Sequence, residues 1–268
     1  MSEYKLYQGD CLEVMPTLAS GSVDMILTDL PYGTTACSWD SVIPFEPLWE
    51  NYKRLIKPRG AIVLFGSQPF TSALVMSNLA WFKYCWVWEK SQGGNFAVTR
   101  YMPLSVSEDI LVFGKESVNY YPQMDKREKP RMIGGRHSND CGRGFGGIQN
   151  ITKLSTESHP RNVLHFPVVV RTESVHESQK PIALLAYLIR TYTNPGETIL
   201  DNTMGSGSTI VAAIQEGRHG IGIEQDSSYF AIAQDRCANT SAQPLLFPIE
   251  SFQPVYEPSG FAFDEAVA

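Results

Sequence analysis

Short apolar runs alternate along the first part of the chain with segments whose apolar residues recur every three or four positions. The run at 23–27 has strand-like composition, the run at 61–65 has the composition of a strand covered on both faces of a sheet, and the run at 110–113 predicts another buried strand. Helical spacing of the apolar positions is clear at 11–18 and 44–56. This alternation predicts an α/β fold with a parallel sheet and right-handed crossovers. Further strands are predicted at 4–8 and 84–89, and a further helix at 70–78.

The same pattern returns in the last third of the chain. Pro181 suits the first turn of a helix, and the leucines that follow it form an apolar face. A strand is predicted from residue 198, then a glycine-rich turn, a helix through 210–214 and a strand at 219–224. Another helix starts near Ser227. Residues 240–268 show no sustained period, so we expect an irregular C-terminal tail.

Composition narrows the class of protein. The 268 residues suffice for one large α/β domain or one domain with an inserted lobe. No apolar run approaches the length of a membrane span, and the first residues lack the basic-then-apolar order of a secretory signal. The five cysteines are scattered and form no metal-ligand spacing. We therefore expect a cytoplasmic protein with no membrane association, no metal and no disulfide framework.

The candidate chemistry lies at the end of the run at 23–27, where Asp29, Leu30, Pro31 and Tyr32 follow. An ordinary strand-to-loop turn has a similar composition. This arrangement also suits attack by the exocyclic amine of a nucleobase, whose lone pair is delocalised into the ring. Two acceptors must hold the amine hydrogens, and the Asp29 side chain and the Leu30 carbonyl can supply them. Tyr32 can stack on a base turned out of the duplex.

These four residues resemble the catalytic D-P-P-Y motif of DNA amino-methyltransferases. Within that family, Asp in the first position is typical of enzymes acting on adenine N6, whereas Ser is usual for cytosine N4. Leu30 departs from the motif, in which Pro is usual at this position. Leu retains the backbone carbonyl that the family uses and loses part of the rigidity of the turn.

Two further segments resemble the family's cofactor elements. Gly9 and Asp10 begin a G-D-x-L-E pattern, whose Asp lies near the adenine amine of S-adenosylmethionine in the family. Asp10 can also simply cap the following helix. The segment at 176–181 resembles H-P-T-Q-K-P, in which the lysine meets the cofactor carboxylate, so the resemblance assigns Lys180 that role. Glu177 and Ser178 depart from the pattern.

The glycine-rich turn lets a backbone approach a ligand closely and directs helix N–H groups towards it. It resembles the family's D-P-F-x-G-S-G-T element, with Thr203 where Phe is usual. About twenty residues later, Glu224 ends a strand and is placed to accept ribose hydroxyls. The resemblance therefore implies an S-adenosylmethionine site. Its remaining predicted members are Asp201, Gly205, Ser206 and Gly207.

The catalytic motif comes first, a basic insert at 115–161 follows, and the cofactor motifs from 176 onwards come last; this permuted order is typical of the β group of these methyltransferases. The resemblance implies a Rossmann-like methyltransferase fold with a seven-stranded, mostly parallel sheet containing one antiparallel strand. It also implies methylation of adenine N6 in double-stranded DNA, as in restriction-modification systems. Cytosine-N4 methylation is the alternative within the family. A catalytically silent DNA-binding protein that keeps the fold is the alternative from another class, and a homodimer is compatible with either.

Charge is unevenly distributed along the chain. Residues 115–161 carry nine Lys and Arg against five Asp and Glu, a net +4, while the remainder carries −10. A solvated loop has such a composition, but a long insert in a regular α/β pattern favours a functional segment. We expect residues 1–114 and 162–239 to form one catalytic domain, with 115–161 as an inserted target-recognition region. Its candidate DNA-binding residues are Lys126, Arg127, Lys129, Arg131, Arg136 and Arg143.

Overall fold

The computed structural model describes residues 2–34, 40–133, 153–169 and 179–242. Two units are distinguished, one within Met1–Tyr121 and Asn162–Ala268, the other within Pro122–Arg161. Short 3-10 helices span Met15–Thr17 and Phe96–Val98. The strands are β1 (Tyr4–Gln8), β2 (Val23–Thr28), β3 (Ile56–Gly66), β4 (Phe82–Lys90), β5 (Ser107–Phe113), β6 (Asp125–Ile133), β7 (Lys153–Ser158), β8 (Val163–Phe166), β9 (Thr198–Asp201) and β10 (His219–Glu224). The helices are α1 (Cys11–Val14), α2 (Phe45–Leu55), α3 (Phe70–Ser77), α4 (Ile182–Tyr192), α5 (Ser208–Gln215) and α6 (Ser227–Ala242).

The main sheet of the larger unit has eight strands in the order β1-β10-β9-β2-β3-β5-β4-β8. Strand β5 is antiparallel to both of its neighbours, and the other neighbouring pairs are parallel. The expected parallel sheet with one antiparallel strand is thus confirmed, but the expected number of seven strands is wrong. The additional strand, β8, has only four residues at the sheet edge, and Leu164 is its only buried residue. A run this short carries too little periodicity to predict a strand.

Helices cover both faces of this sheet. Successive strand residues point to opposite faces, so Ile62 and Leu64 pack with α1, α2 and α3, whereas Val63 and Phe65 pack with α4 and α5. All four of these side chains are completely buried. The continuous apolar run at 61–65 therefore records burial on both faces. A third apolar cluster joins α5 to α6 through Ile210, Ala233 and Cys237, among others.

The smaller unit contains the antiparallel pair β6–β7. The sequence did not predict these strands, because β6 (DKREKPRMI) shows no apolar alternation. The pairing register shifts between Lys126 and Arg131, a stretch containing Pro130, which cannot donate to a strand ladder. Residues 115–121 lie in the larger unit, where Val118 is buried and Tyr121 N donates to Thr191 O at 2.7 Å.

Three sets of expectations fall wholly or partly outside the described residues. Arg136 and Arg143 are among the residues that the structure does not describe. The first part of the 176–181 segment is likewise outside the described ranges, whereas its Gln-Lys-Pro end is inside. Helix α6 continues to Ala242, so the first three residues of the expected irregular tail are helical. The rest of that tail is not described.

Candidate active site

Four parallel strands end at one edge of the sheet and place polar residues there. Asp10 follows β1, Asp29 follows β2, Asp201 ends β9, and Glu224 ends β10. The turns enclose a cavity of about 620 Å³, a volume typical of small-molecule sites. The residues predicted to be catalytic all line it: Asp29, Leu30, Pro31 and Tyr32. So do most of the residues predicted to bind the cofactor: Asp10, Lys180, Asp201, Thr203, Gly205, Ser206 and Glu224.

Gly207 is the exception among the predicted cofactor residues, since it is not part of the cavity lining. Its φ of 79° lies in the left-handed region that favours glycine. A Cβ atom at this position would lie 2.9 Å from the Cβ of Ala233 in α6. Within the structure, the absence of a side chain at Gly207 therefore serves the packing of the turn against α6.

The catalytic turn is held by contacts within itself and with the core. The Tyr32 hydroxyl donates to Asp29 Oδ1 at 2.6 Å, and the Tyr32 ring stacks on Phe70 with centroids 5.0 Å apart. Burial, with nearby carboxylates, raises the pKa of Tyr32 well above its ordinary value. The hydroxyl thus stays protonated as a donor. The Leu30 side chain is 3% exposed and belongs to the apolar core, so the variant residue anchors the turn.

Lys180 contacts two carboxylates of the protein. Its Nζ lies 2.5 Å from Asp29 Oδ2 and 3.3 Å from Glu108 Oε2, and it sits 5.0 Å from the centroid of the Phe65 ring. Burial disfavours its charge, but Asp29 and Glu108 outweigh burial and raise the pKa of Lys180. The role expected for Lys180 at the cofactor carboxylate remains a prediction, whereas the observed partners belong to the catalytic side of the cavity.

Sequence reasoning missed several charged residues of this cavity, among them Lys90 and Glu108. Lys90 Nζ donates to Glu108 Oε1 at 2.8 Å, and both residues line the cavity. Burial would raise the pKa of Glu108, but Lys180 and Lys90 together lower it. The signal in the sequence was slight: Glu108 lies two residues before the buried run at 110–113, and Lys90 lies two residues after Trp88, the last of several aromatic residues.

The glycine-rich turn is tied to the end of β2 by threonines. Thr28 Oγ1 donates to Asp201 Oδ1 at 2.8 Å, and Thr203 Oγ1 donates to the Asp29 carbonyl at 3.0 Å. Burial raises the pKa of Asp201 to about 6, although hydrogen bonds from Thr209, Thr28 and Thr203 oppose this. Thr203, which stands where the family usually has Phe, therefore connects the cofactor turn to the catalytic turn.

Asn202 places a buried side-chain amide in the wall of the cavity. Its Oδ1 accepts from the Tyr52 hydroxyl at 2.6 Å, and the residue is 1% exposed. Its Nδ2 is buried and has no hydrogen-bond partner among the described residues. Because Asn202 lines the cavity, this donor is available to a ligand.

Glu224 and Asp10 close the other end of the cavity. Glu224 Oε2 accepts from Gly205 N at 2.9 Å, and its Oε1 accepts from Asp226 N at 2.8 Å. Burial raises the pKa of Glu224. Each carboxylate oxygen keeps a second lone pair for a ligand hydroxyl. Asp10 accepts from Leu12 N at 2.8 Å, which confirms its expected role as the cap of α1.

Ser206 contributes to the wall from the glycine-rich turn. Arg236 of α6 donates to the Ser206 carbonyl at 2.6 Å and to its Oγ at 2.8 Å, which fixes the turn against that helix. Ser206 is 3% exposed although it lines the cavity. The cofactor turn is thus braced by α6 from behind and by β2 from the side.

The sheet has the α/β methyltransferase fold, and solved structures support this assignment. The complex of M1.HpyAVI with SAM has a TM-score of 0.59 at 24% identity, covering 87% of this chain and 98% of that one. The PvuII DNA methyltransferase, described as cytosine-N4-specific, has a TM-score of 0.63 at 16% identity, covering 88% of this chain and 86% of that one.

The chain belongs to the DNA methylase family, which it matches over residues 23–235. Among its relatives, DNA adenine methyltransferase YhdJ of Escherichia coli (strain K12) is 30% identical, covering 86% of this chain and 81% of the relative. Type II methyltransferase M.HpaI of Haemophilus parainfluenzae is 26% identical, covering 87% and 74%. The protein is therefore an enzyme, a DNA methyltransferase, and S-adenosylmethionine is the methyl donor that this membership implies. The expected enzyme class and cofactor are confirmed.

No described helix is both long and apolar enough to cross a membrane. No cluster of three or more His, Cys, Asp or Glu side chains in the described ranges is arranged to hold a metal ion.

Proposed function

We propose that this enzyme methylates N6 of an adenine turned out of double-stranded DNA, with Asp29 and the Leu30 carbonyl as acceptors for the amine. The observation that carries the proposal is a single cavity whose wall contains both Asp29 with Tyr32 and Glu224 with Gly205. Substrate base and methyl donor then meet in one enclosed space. The assignment to adenine follows from Asp in the first position of the motif and is supported by the relative named as an adenine methyltransferase.

The cavity fits S-adenosylmethionine in size and in the chemistry of its wall. Glu224 offers carboxylate oxygens to ribose hydroxyls, Asp10 lies beside it at the end of β1, and Gly205 carries the backbone close to the ligand. The buried Nδ2 of Asn202, which has no partner among the described residues, is a further donor for this ligand. When bound, the cofactor supplies an electrophilic methyl group on a sulfonium. Asp201, Thr203 and Ser206 complete the proposed binding set.

On the substrate side, positioning dominates the proposed chemistry. Asp29 is fixed from two directions, by the Tyr32 hydroxyl and by Lys180 Nζ. Its oxygens retain lone pairs for an amine hydrogen. Asp29 need not be a strong base, because the amine becomes acidic only as it acquires the methyl group. A fixed carboxylate also stabilises the positive charge that develops on the amine.

Tyr32 supplies the proposed stacking surface for the base. Its ring is supported on one side by Phe70 at 5.0 Å, and Tyr32 also lines the cavity. The hydrogen bond from its hydroxyl to Asp29 restricts the orientation of the ring. A ring held in this way loses little freedom when a base stacks on it, which favours capture of the turned-out nucleotide.

The order of the site elements along the chain supports placing the enzyme in the permuted β group. Asp29 precedes the glycine-rich turn at 201–207, and the smaller unit at 122–161 lies between them in sequence. We propose that this unit recognises DNA through the β6–β7 pair. The basic candidates within the described part are Lys126, Arg127, Lys129 and Arg131.

The test is to incubate the protein with S-adenosylmethionine and random-sequence duplex DNA, then map modified bases by single-molecule sequencing. N6-methyladenine at one short sequence is the expected result. N4-methylcytosine would overturn the adenine assignment while keeping the chemistry. Absence of any modified base, with cofactor binding retained, would identify a silent DNA-binding protein instead.

A further inference from the structure

Four charged side chains form a continuous chain in the wall of the cavity. Lys90 Nζ lies 2.8 Å from Glu108 Oε1, Glu108 Oε2 lies 3.3 Å from Lys180 Nζ, and Lys180 Nζ lies 2.5 Å from Asp29 Oδ2. Two positive and two negative groups alternate, so the chain is neutral as a whole. The exposed fraction of the side chain is 8% for Lys180 and 16% for Glu108.

Burial makes each member dependent on its neighbours. A lone buried ammonium or carboxylate loses several kcal/mol of hydration, so it remains charged only when a partner compensates. Lys180 has two such partners, Asp29 and Glu108, and the Phe65 ring lies 5.0 Å from its Nζ. Removing Glu108 would leave one carboxylate to support the charge of Lys180.

We propose that Glu108 is a positioning residue for methyl transfer: with Lys90 behind it, Glu108 holds the Lys180 ammonium against Asp29. The carboxylate that receives the amine is thereby fixed in place. This inference rests on the proposed function of Asp29. It assigns Lys180 to the catalytic carboxylate rather than to the carboxylate of the cofactor.

Steady-state kinetics of Glu108→Gln test the inference. The substitution keeps the size of the side chain and removes its charge, so kcat should fall at least tenfold while KM for S-adenosylmethionine and DNA changes less than threefold. Glu89→Gln is the matched control, because Glu89 precedes Lys90 on β4, is 49% exposed and pairs with His165. It should leave kcat unchanged. Thermal melting checks that both variants are folded.

The pH profile supplies a readout that a merely structural role would not move. Asp29 and Tyr32 face Lys180 from the turn after β2, Glu108 faces it from β5, and Lys90 stands behind Glu108 on β4. Loss of the Glu108 charge lowers the pKa of Lys180, so the ratio of variant to parental rate should fall as pH rises from 7.5 to 9.5. Lys90→Met removes a positive charge, so the pKa of Lys180 does not fall. The ratio of variant to parental rate should therefore stay constant over the same pH range. Titration of DNA itself cancels in both ratios.

Cofactor binding by calorimetry separates this inference from the proposed function. Lys180→Met should bind S-adenosylmethionine within threefold of the parent; a loss of more than tenfold would assign Lys180 to the cofactor and overturn the inference. Parental kcat and a level pH ratio in Glu108→Gln would also overturn it. Should the parent transfer no methyl group to DNA, the proposed function fails, and the calorimetric comparison still decides which partner Lys180 serves.

Discussion

At the scale of single residues, Asp29 has its geometry set by neighbours distant in sequence. Tyr32 is three residues away, but Lys180 lies two residues before α4, and Thr203 donates to the Asp29 carbonyl from the turn after β9. The motif could be found from the sequence because its four residues are contiguous. Glu108 and Lys90 could not be found, because ion pairs between strands leave no local pattern.

Asp29→Ala should lower methyl transfer by at least three orders of magnitude, since it removes the acceptor for the amine. The affinity for S-adenosylmethionine should stay within about tenfold, or about 1.4 kcal/mol, because Asp29 is proposed to face the base. Single-turnover kinetics and calorimetry measure the two effects. Asp235→Ala, exposed on α6, is the control and should behave like the parent. Near-normal turnover of Asp29→Ala would remove Asp29 from its role.

Asp201 makes stability depend on pH in a defined direction. Its pKa is raised from 3.8 to about 6 in the fold, so the folded state holds its proton more tightly than the unfolded chain does. Stability contributed by protonated Asp201 is therefore present at pH 4 and is lost as pH rises to about 6. The difference between the two pKa values corresponds to about 3 kcal/mol in the free energy of unfolding.

Asp201→Asn cannot ionise and should escape this loss. Relative to the parent, the variant should gain up to about 3 kcal/mol in unfolding free energy between pH 4 and pH 7.5. Urea unfolding at the two pH values measures the gain, and titration of all other groups cancels in the comparison. A difference between parent and variant that does not change with pH would contradict this.

At the scale of elements, burial determined what the sequence could predict. Strands β2, β3 and β5 are covered on both faces, so their apolar runs were unambiguous. Strand β6 has no apolar alternation to read, and β8 is too short to show any. The site residues at strand ends could be predicted once the strands were known. The packing role of Gly207 could not, because its neighbour Ala233 belongs to a helix later in the chain.

Gly207 gives a prediction about the packing of α6. Gly207→Ala introduces strain at φ 79° and a Cβ 2.9 Å from that of Ala233, whereas Gly196→Ala introduces strain at φ 82° with no atom within 4 Å. Left-handed strain costs about 1–3 kcal/mol in either variant, and overpacking adds about 1–3 kcal/mol for Gly207 alone. Urea midpoints should therefore fall further for Gly207→Ala. If both variants lowered the urea midpoint equally, α6 would have to move away from the new Cβ without loss of stability.

At the scale of the whole molecule, charge is divided between an acidic larger part and a basic insert. Single Ala variants of Lys126, Arg127, Lys129 and Arg131 should separate two kinds of DNA contact. Loss of a phosphate contact should weaken binding to all DNA sequences alike and reduce the slope of log affinity against log salt concentration by about one. Loss of a guanine contact should cost about 1–3 kcal/mol of binding free energy at the preferred site only. Binding to cognate and scrambled duplexes at several salt concentrations measures both.

Lys83→Ala is the control for these variants, since it removes the same charge from an exposed position on β4 of the larger unit. It should leave binding to both duplexes close to that of the parent. If the four insert variants also bind and methylate like the parent, the DNA contacts must come from other parts of the chain.

The reversed direction of β5 has a consequence for how the site is assembled. The parallel strands place residues in the cavity at their carboxyl ends. Because β5 runs the other way, it delivers Glu108 at its entrance, as the second of its seven residues. In a parallel strand the same residue would lie towards the opposite edge of the sheet, four residues or about 13 Å away at 3.3 Å per residue. Because β5 is antiparallel to its neighbours, Glu108 at its start lines the same cavity as Asp29 and Glu224, which lie at the ends of parallel strands.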